Sequence, residues 1–181
     1  DDSFKGVAVD YPTDVTYDGS EQAWAPTVTD ASGNVLTEGE DYDVSYRGDL
    51  TNVNSIVVTI TGRGNYTGAV ERAYAITPAK VTLASNSHDF VYTGEAQGDA
   101  EVSVSDAADL FRAQVEGLAA TGSVTNAGDE AENSIAYSFK DGFSADNYTI
   151  DEQPGKLTVS AQSIDPTDSS YSGVAVDAPQ D

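Results

Sequence analysis

The chain predicts an all-β fold built from two antiparallel β-sandwiches of short strands. Three observations carry that prediction: apolar residues alternate with period two, the runs between them hold turn-forming residues, and no stretch reaches the length of a membrane-spanning helix. The alternating runs are Ile56-Val57-Val58-Thr59-Ile60, Lys80-Val81-Thr82-Leu83-Ala84, Ala100-Glu101-Val102-Ser103-Val104, Ile135-Ala136-Tyr137-Ser138-Phe139 and Lys156-Leu157-Thr158-Val159-Ser160. β-branched and aromatic residues at every second position describe a strand with one face in a core. Between the runs lie Tyr17-Asp18-Gly19, Ser32-Gly33-Asn34, Gly62-Arg63-Gly64-Asn65, Tyr92-Thr93-Gly94, Asn126-Ala127-Gly128 and Lys140-Asp141-Gly142. Gly, Asn and Asp supply the backbone freedom and local hydrogen bonds that tight turns require.

One stretch departs from period two. From Asp106 to Leu118, residues Ala107, Ala108, Leu110, Phe111 and Val115 line up as a helical stripe that Ser105 or Asp106 would cap. A short helix within 106–118 and a loop crossing between two sheets explain these residues equally well.

Pro78, in Ile76-Thr77-Pro78-Ala79-Lys80, has no ladder donor and holds Thr77 extended, so one domain ends there and the next begins. A second boundary falls near Ser160–Thr167. The expected domains are residues 1–77, 78–161, and 162–181 as a linker and first strand of a following unit. That last assignment rests on a repeat: DDSFKGVAVDYPTD at Asp1–Asp14 and DSSYSGVAVDAPQD at Asp168–Asp181 share nine of fourteen positions at a constant offset of 167. The offset exceeds any solenoid period and suits a two-domain unit, so the chain reads as a piece of a longer tandem array. A weaker echo lies within the unit, where Tyr17-Asp18-Gly19 and Tyr92-Thr93-Gly94 follow early strands. Likewise Gly64-Asn65-Tyr66-Thr67 and Asp146-Asn147-Tyr148-Thr149 precede final ones.

Those motifs resemble known bacterial surface repeats. Tyr17-Asp18-Gly19, Asp41-Tyr42-Asp43-Val44-Ser45-Tyr46 and Gly62-Arg63-Gly64-Asn65-Tyr66-Thr67-Gly68, running into Ala73–Pro78, are similar to the YDG-type Ig-like repeats of Gram-positive cell-surface adhesins. Ala79-Lys80-Val81-Thr82, Tyr92-Thr93-Gly94, Asn126-Ala127-Gly128, Asp146–Ile150 and Gly155–Val159 resemble the MBG-type repeats that follow them, with Thr93 where the usual motif has Asp. The resemblance implies two Ig-like antiparallel β-sandwich domains joined end to end, elongated, and secreted to the cell wall.

Composition narrows the chemistry. With 31 acidic and 8 basic residues the net charge is −23, which repels nucleic acid and anionic lipid. Without Cys, and with His88 as the single histidine, thiol catalysis and His-rich metal sites are excluded. The acidic clusters Asp41/Asp43, Asp106/Asp109, Asp129/Glu130/Glu132 and Asp165/Asp168 offer oxygen ligands for calcium, but without EF-hand or nonapeptide spacing they read as solvated surface. Gly62-x-Gly64 lies between two strands, the wrong setting for a phosphate loop. Tyr17, Tyr66, Tyr92, Tyr148 and Trp24 are either aromatic binders or plugs at the open ends of sandwiches. A Lys-to-Asn or Lys-to-Asp crosslink would need a buried lysine, and Lys5, Lys80, Lys140 and Lys156 lie on no uninterrupted apolar face. Asn65-Tyr66-Thr67 and Asn147-Tyr148-Thr149 match the N-glycosylation triplet and fit a turn role better.

The expectation is therefore a monomeric, non-enzymatic unit of an adhesin stalk, with no catalytic, cofactor or metal residues and no cofactor. Its partners are neighbouring repeats of the same chain, with a host glycan or glycoprotein as the alternative ligand, bound by exposed tyrosines and the loop at 106–118.

Overall fold

The structure, a computed structural model, describes residues 6–165, 167–169 and 173. Fourteen strands, one short α-helix and one 3-10 turn account for the regular structure among them, so the chain is mostly β. It divides into two compact units, one of Asp1–Ala79 with Ser144–Thr149 and one of Lys80–Phe143 with Ile150–Asp181. The strand expected at 173–177 lies outside the described residues, Gly173 excepted.

The first unit contains β1 (Ala8–Val9), β2 (Val15–Thr16), β3 (Val28–Thr29), β4 (Tyr42–Arg47), β5 (Asn54–Gly62) and β6 (Ala69–Thr77). Four strands form one sheet in the order β2-β6-β5-β4, and β1 pairs with β3. Strand β5 shows why this sequence is a strand. Ile56, Val58 and Ile60 are fully buried while Val57 and Thr59 between them are partly exposed, the alternation that one buried face imposes. Val9, Tyr17, Val28, Leu36, Tyr42, Tyr74 and Ile76 complete the core. Residues Gly62–Gly68 connect β5 to β6, with the Gly62 N–H donating to the Gly68 carbonyl at 2.9 Å. A side chain at Gly62 would lie 2.8 Å from the Thr67 nitrogen, so this connection requires glycine.

The second unit begins with β7 (Ala79–Ser85), β8 (His88–Val91) and β9 (Val102–Asp106) and continues through α1 (Ala108–Gln114) into β10 (Val115–Ala120). It ends with β11 (Glu130–Asn133), β12 (Ile135–Phe139), β13 (Tyr148–Gln153), whose first two residues belong to the first unit, and β14 (Gly155–Ser160). The sheets run β11-β14-β8, β13-β7-β9 and β10-β12. Val124, Leu157 and Val159 form a buried cluster against Phe90 and Ala131, and Phe111 meets Tyr137 and Phe139 edge-on at 5.4 and 5.8 Å.

Two expectations need correction. Pairing is not wholly antiparallel, because β2 runs parallel to β6 and β8 parallel to β14. In both units an early strand lies alongside the last strand, and the tyrosine after it extends the ladder. Tyr17 N–H donates to the Thr77 carbonyl and Tyr92 N–H to the Ser160 carbonyl, each at 2.9 Å. The Tyr-x-Gly motif thus marks the same place in both units. The helix forms inside 106–118, but neither Ser105 nor Asp106 caps it. Its N-cap is Ala107, with no side-chain bond, and Asp106 adopts a left-handed φ of 64° that turns the chain from β9 into the helix. Its far end is set by packing, since Val115 is already extended and buried and continues as β10.

Candidate functional site

The most developed surface feature belongs to the first unit and is organised by three tyrosines. Tyr42 and Tyr46 stand four residues apart on β4, hence on one face, and Tyr74 is on β6. Tyr74 Oη donates to the Gln22 carbonyl, Tyr46 Oη to the Trp24 carbonyl at 2.7 Å and Tyr42 Oη to the Pro26 carbonyl at 3.3 Å. Carbonyls at alternate positions of an extended segment point the same way, so one edge of residues 22–26 is held by side-chain hydroxyls rather than by a strand. Burial raises the pKa of all three phenols, reinforced by the Glu38 carboxylate at Tyr42 and Tyr46, so they stay protonated donors at neutral pH.

Holding this segment in place creates a cleft of about 250 Å³ lined by Tyr11, Thr13, Val15, Glu21, Gln22, Ala23, Trp24 and Tyr74. Tyr11 is 76% exposed, and the Arg72 guanidinium lies 4.2 Å from its ring centroid. Arg72 is itself anchored by the Val9 and Asp10 carbonyls at 3.3 and 3.2 Å. The cleft therefore offers two aromatic surfaces beside a carboxylate, an amide and a hydroxyl. That set suits the apolar face and hydroxyl rim of a sugar ring.

In the second unit, Glu130, Ala131, Glu132, Pro154, Gly155 and Lys156 line an open groove of about 410 Å³. Its Lys156–Glu130 pair, at 2.8 Å, is more than half exposed and so contributes little stability.

The aromatic residues that the sequence singles out do not converge. Tyr17 and Tyr148 are buried and packed edge-on at 5.6 Å, and burial pushes the Tyr148 phenol up to about 12. Tyr92 is exposed and Tyr66 half-buried, and neither lines the cleft, whereas Trp24 does. Its companions Tyr11 and Tyr74 lie within the repeated N-terminal stretch and the Ala73–Pro78 motif, but nothing in either stretch marks them as partners of Trp24. In the 106–118 segment, Phe111 is wholly buried, so the stripe serves the core.

The acidic clusters resolve into turns and surface contacts. Asp41 Oδ2 accepts from Thr37 N–H, Asp43 pairs with Arg63 at 3.1 Å, and Asp106 Oδ2 accepts from the Thr82 hydroxyl. Asp129 Oδ2 accepts from the Thr125 and Asn126 N–H groups at 3.0 and 2.6 Å, and these bonds hold its carboxyl below the usual range. Asp165 does the same with Thr167. Among the described residues no three His, Cys, Asp or Glu side chains come together in a way that would hold a cation. Lys80, Lys140 and Lys156 are exposed, with Lys140 Nζ on the Ala113 carbonyl; Lys5 lies outside the described residues. Asn65 is exposed, whereas Asn147 is 2% exposed, accepting from Val53 N–H at 2.9 Å and donating to Asn52 Oδ1 at 2.8 Å. His88 stacks on Phe90 at 4.2 Å.

Sequence reasoning missed Asn133, which is fully buried and whose amide joins three loops. It accepts from Gly122 N–H at 3.1 Å and donates to the Asn86 and Asp99 carbonyls at 3.1 and 2.9 Å. An Asn inside the short run Glu130–Asn133 looks like any turn-forming residue, and only the fold shows what surrounds it. No protein-family model and no curated protein sequence matches the chain.

Proposed function

We propose that this chain is a repeat unit from the stalk of a Gram-positive cell-surface adhesin, made of two Ig-like β-sandwich domains joined end to end, which projects a distal binding domain from the cell wall. The observation that carries the reading is the recurrence of the first fourteen residues, nine of them identical, at an offset of 167, as a tandem array of such units would produce. The closure of both units by an early strand parallel to the last one supports it, since it makes them variations on one plan. A net charge of −23 keeps neighbouring units and neighbouring molecules apart. Antibodies raised against the chain should label intact source cells, and labelling that appears only after permeabilisation would overturn the reading.

The Tyr11/Trp24 cleft favours a second reading, in which the unit itself binds a host glycan or glycoprotein. A spacer has no need of a 76%-exposed tyrosine beside a half-buried tryptophan. Glycan-array binding that is lost in both Tyr11→Ala and Trp24→Ala would establish it; a blank array, or binding that survives both changes, would leave the spacer role alone.

A further inference from the structure

Strand β1 occupies its place in the first unit through contacts that, among the described residues, centre on residues 6–10. Ala8 and Val9 pair with Thr29 and Val28, and Val9 is 8% exposed. Asp10 closes the pairing twice: its N–H donates to the Thr27 carbonyl at 3.2 Å, and its Oδ1 accepts from Thr27 N–H at 2.8 Å. Arg72 holds the Val9 and Asp10 carbonyls. Gly6 enters the strand at φ 88°, where a side-chain carbon would lie 2.9 Å from Ala31 Cβ, so only glycine fits.

The same five residues recur, letter for letter, as Gly173-Val174-Ala175-Val176-Asp177. Gly173 also takes the left-handed backbone of Gly6, at φ 81°. We infer that residues 173–177 of one copy of this chain occupy the β1 position of a second copy, displacing that copy's own β1. Over these five residues the incoming strand can make the bonds that the outgoing one gives up, because the two stretches are identical; Tyr11, whose ring meets Arg72, has Ala178 as its counterpart. What favours the resident strand is its tether, which corresponds to an effective concentration in the millimolar range. Exchange is therefore slight in dilute solution and grows where copies crowd together or where β1 is weakened. The register of β1 and the repeated sequence carry this exchange, whether or not the chain comes from an adhesin.

Two experiments on the full chain test it. Val9→Asp places a charge at a buried position of β1 and opens the slot while leaving residues 173–177 intact. At about 0.1 mM, well below the tether's effective concentration, sedimentation velocity should show this variant associating, and Val9→Asp/Val176→Asp should return it to monomer. Identical profiles for the two variants would overturn the proposal. The second experiment guards against Val9→Asp unfolding the unit. The chain lacks cysteine, so Ala175→Cys in one copy and Thr29→Cys in another can report the register directly. Under mild oxidation the mixed pair should crosslink about tenfold faster than Ser169→Cys with Thr29→Cys, as an effective-concentration effect of that size requires. Equal rates would overturn the proposal. So would a disulfide that forms only within single chains carrying both Ala175→Cys and Thr29→Cys, since the slot would then belong to the chain's own tail.

Discussion

Replacing Asn133 by Leu keeps the branched shape of the side chain and removes its hydrogen bonds. The change leaves Gly122 N–H and the carbonyls of Asn86 and Asp99 without their side-chain partner. A buried polar group that loses its partner costs about 1–3 kcal/mol. Asn86 is exposed and Asp99 and Gly122 are partly exposed, so water can reach them and the low end applies. The sum is about 3 kcal/mol, which for a unit of this size lowers the melting temperature by roughly 12–24 °C. Asn133→Asp is the informative companion. At neutral pH it sets a carboxylate against two carbonyl oxygens at a position with 0% exposure, so it should be worse than Leu at pH 7 and recover on acidification as the acid regains a proton to donate. Scanning calorimetry measures both variants, and the single tryptophan, Trp24, reports the first unit by fluorescence. A calorimetric shift below about 4 °C for Asn133→Leu would mean that the three loops are held by something else.

Further outcomes follow from the same contacts. Tyr46→Phe and Tyr74→Phe should each cost about 1 kcal/mol by releasing the Trp24 and Gln22 carbonyls, and each should shift Trp24 fluorescence; an unchanged spectrum in both would mean the tyrosines do not position the segment. Gly155→Ala should abolish the second unit's cooperative unfolding, because the added carbon would overlap the Asn86 carbonyl, whereas Gly128→Ala, with open space around it and φ 91°, should cost only the strain of that backbone, about 1 kcal/mol. Stability should fall at both pH extremes. Asp18, Asp30, Asp49, Asp99, Asp129 and Asp165 are held below 3.8 by hydrogen bonds, so what they add is present above that pH and fades as pH drops through and below it. Tyr137 and Tyr148 are raised from 10 to about 12 by burial, so their contribution is intact below pH 10 and lost as pH rises from 10 through 12. Melting temperature against pH, with tyrosinate absorbance on the alkaline side, checks both limbs; Tyr137 and Tyr148 already ionised by pH 10 would contradict the second.

Much of the fold was legible because period-two burial is local: Ile56, Val58 and Ile60 announce their strand without help from elsewhere. The parallel pairings were not legible. Strand β2 is two residues long, and its partner 61 residues away is chosen by the fold rather than by any pattern in Val15-Thr16. The helix stripe was visible, yet its beginning was not, since a left-handed Asp106 is a solution to chain direction and leaves no composition signal. The candidate cleft was the least legible feature. Tyr11, Trp24 and Tyr74 are scattered along the chain and meet only because three hydroxyls pin residues 22–26. The abundance of aspartate was plain from composition, but its use in capping turns emerged only from the backbone N–H groups around each carboxylate.

A stalk unit of the kind proposed would need reach, its two domains standing end to end. Small-angle scattering of the chain in moderate salt measures it directly. Two sandwiches of 5–8-residue strands placed end to end span about 70–80 Å, with a radius of gyration of about 23 Å. A compact body of this chain length has a radius of gyration of about 16 Å, and that value would contradict the stalk.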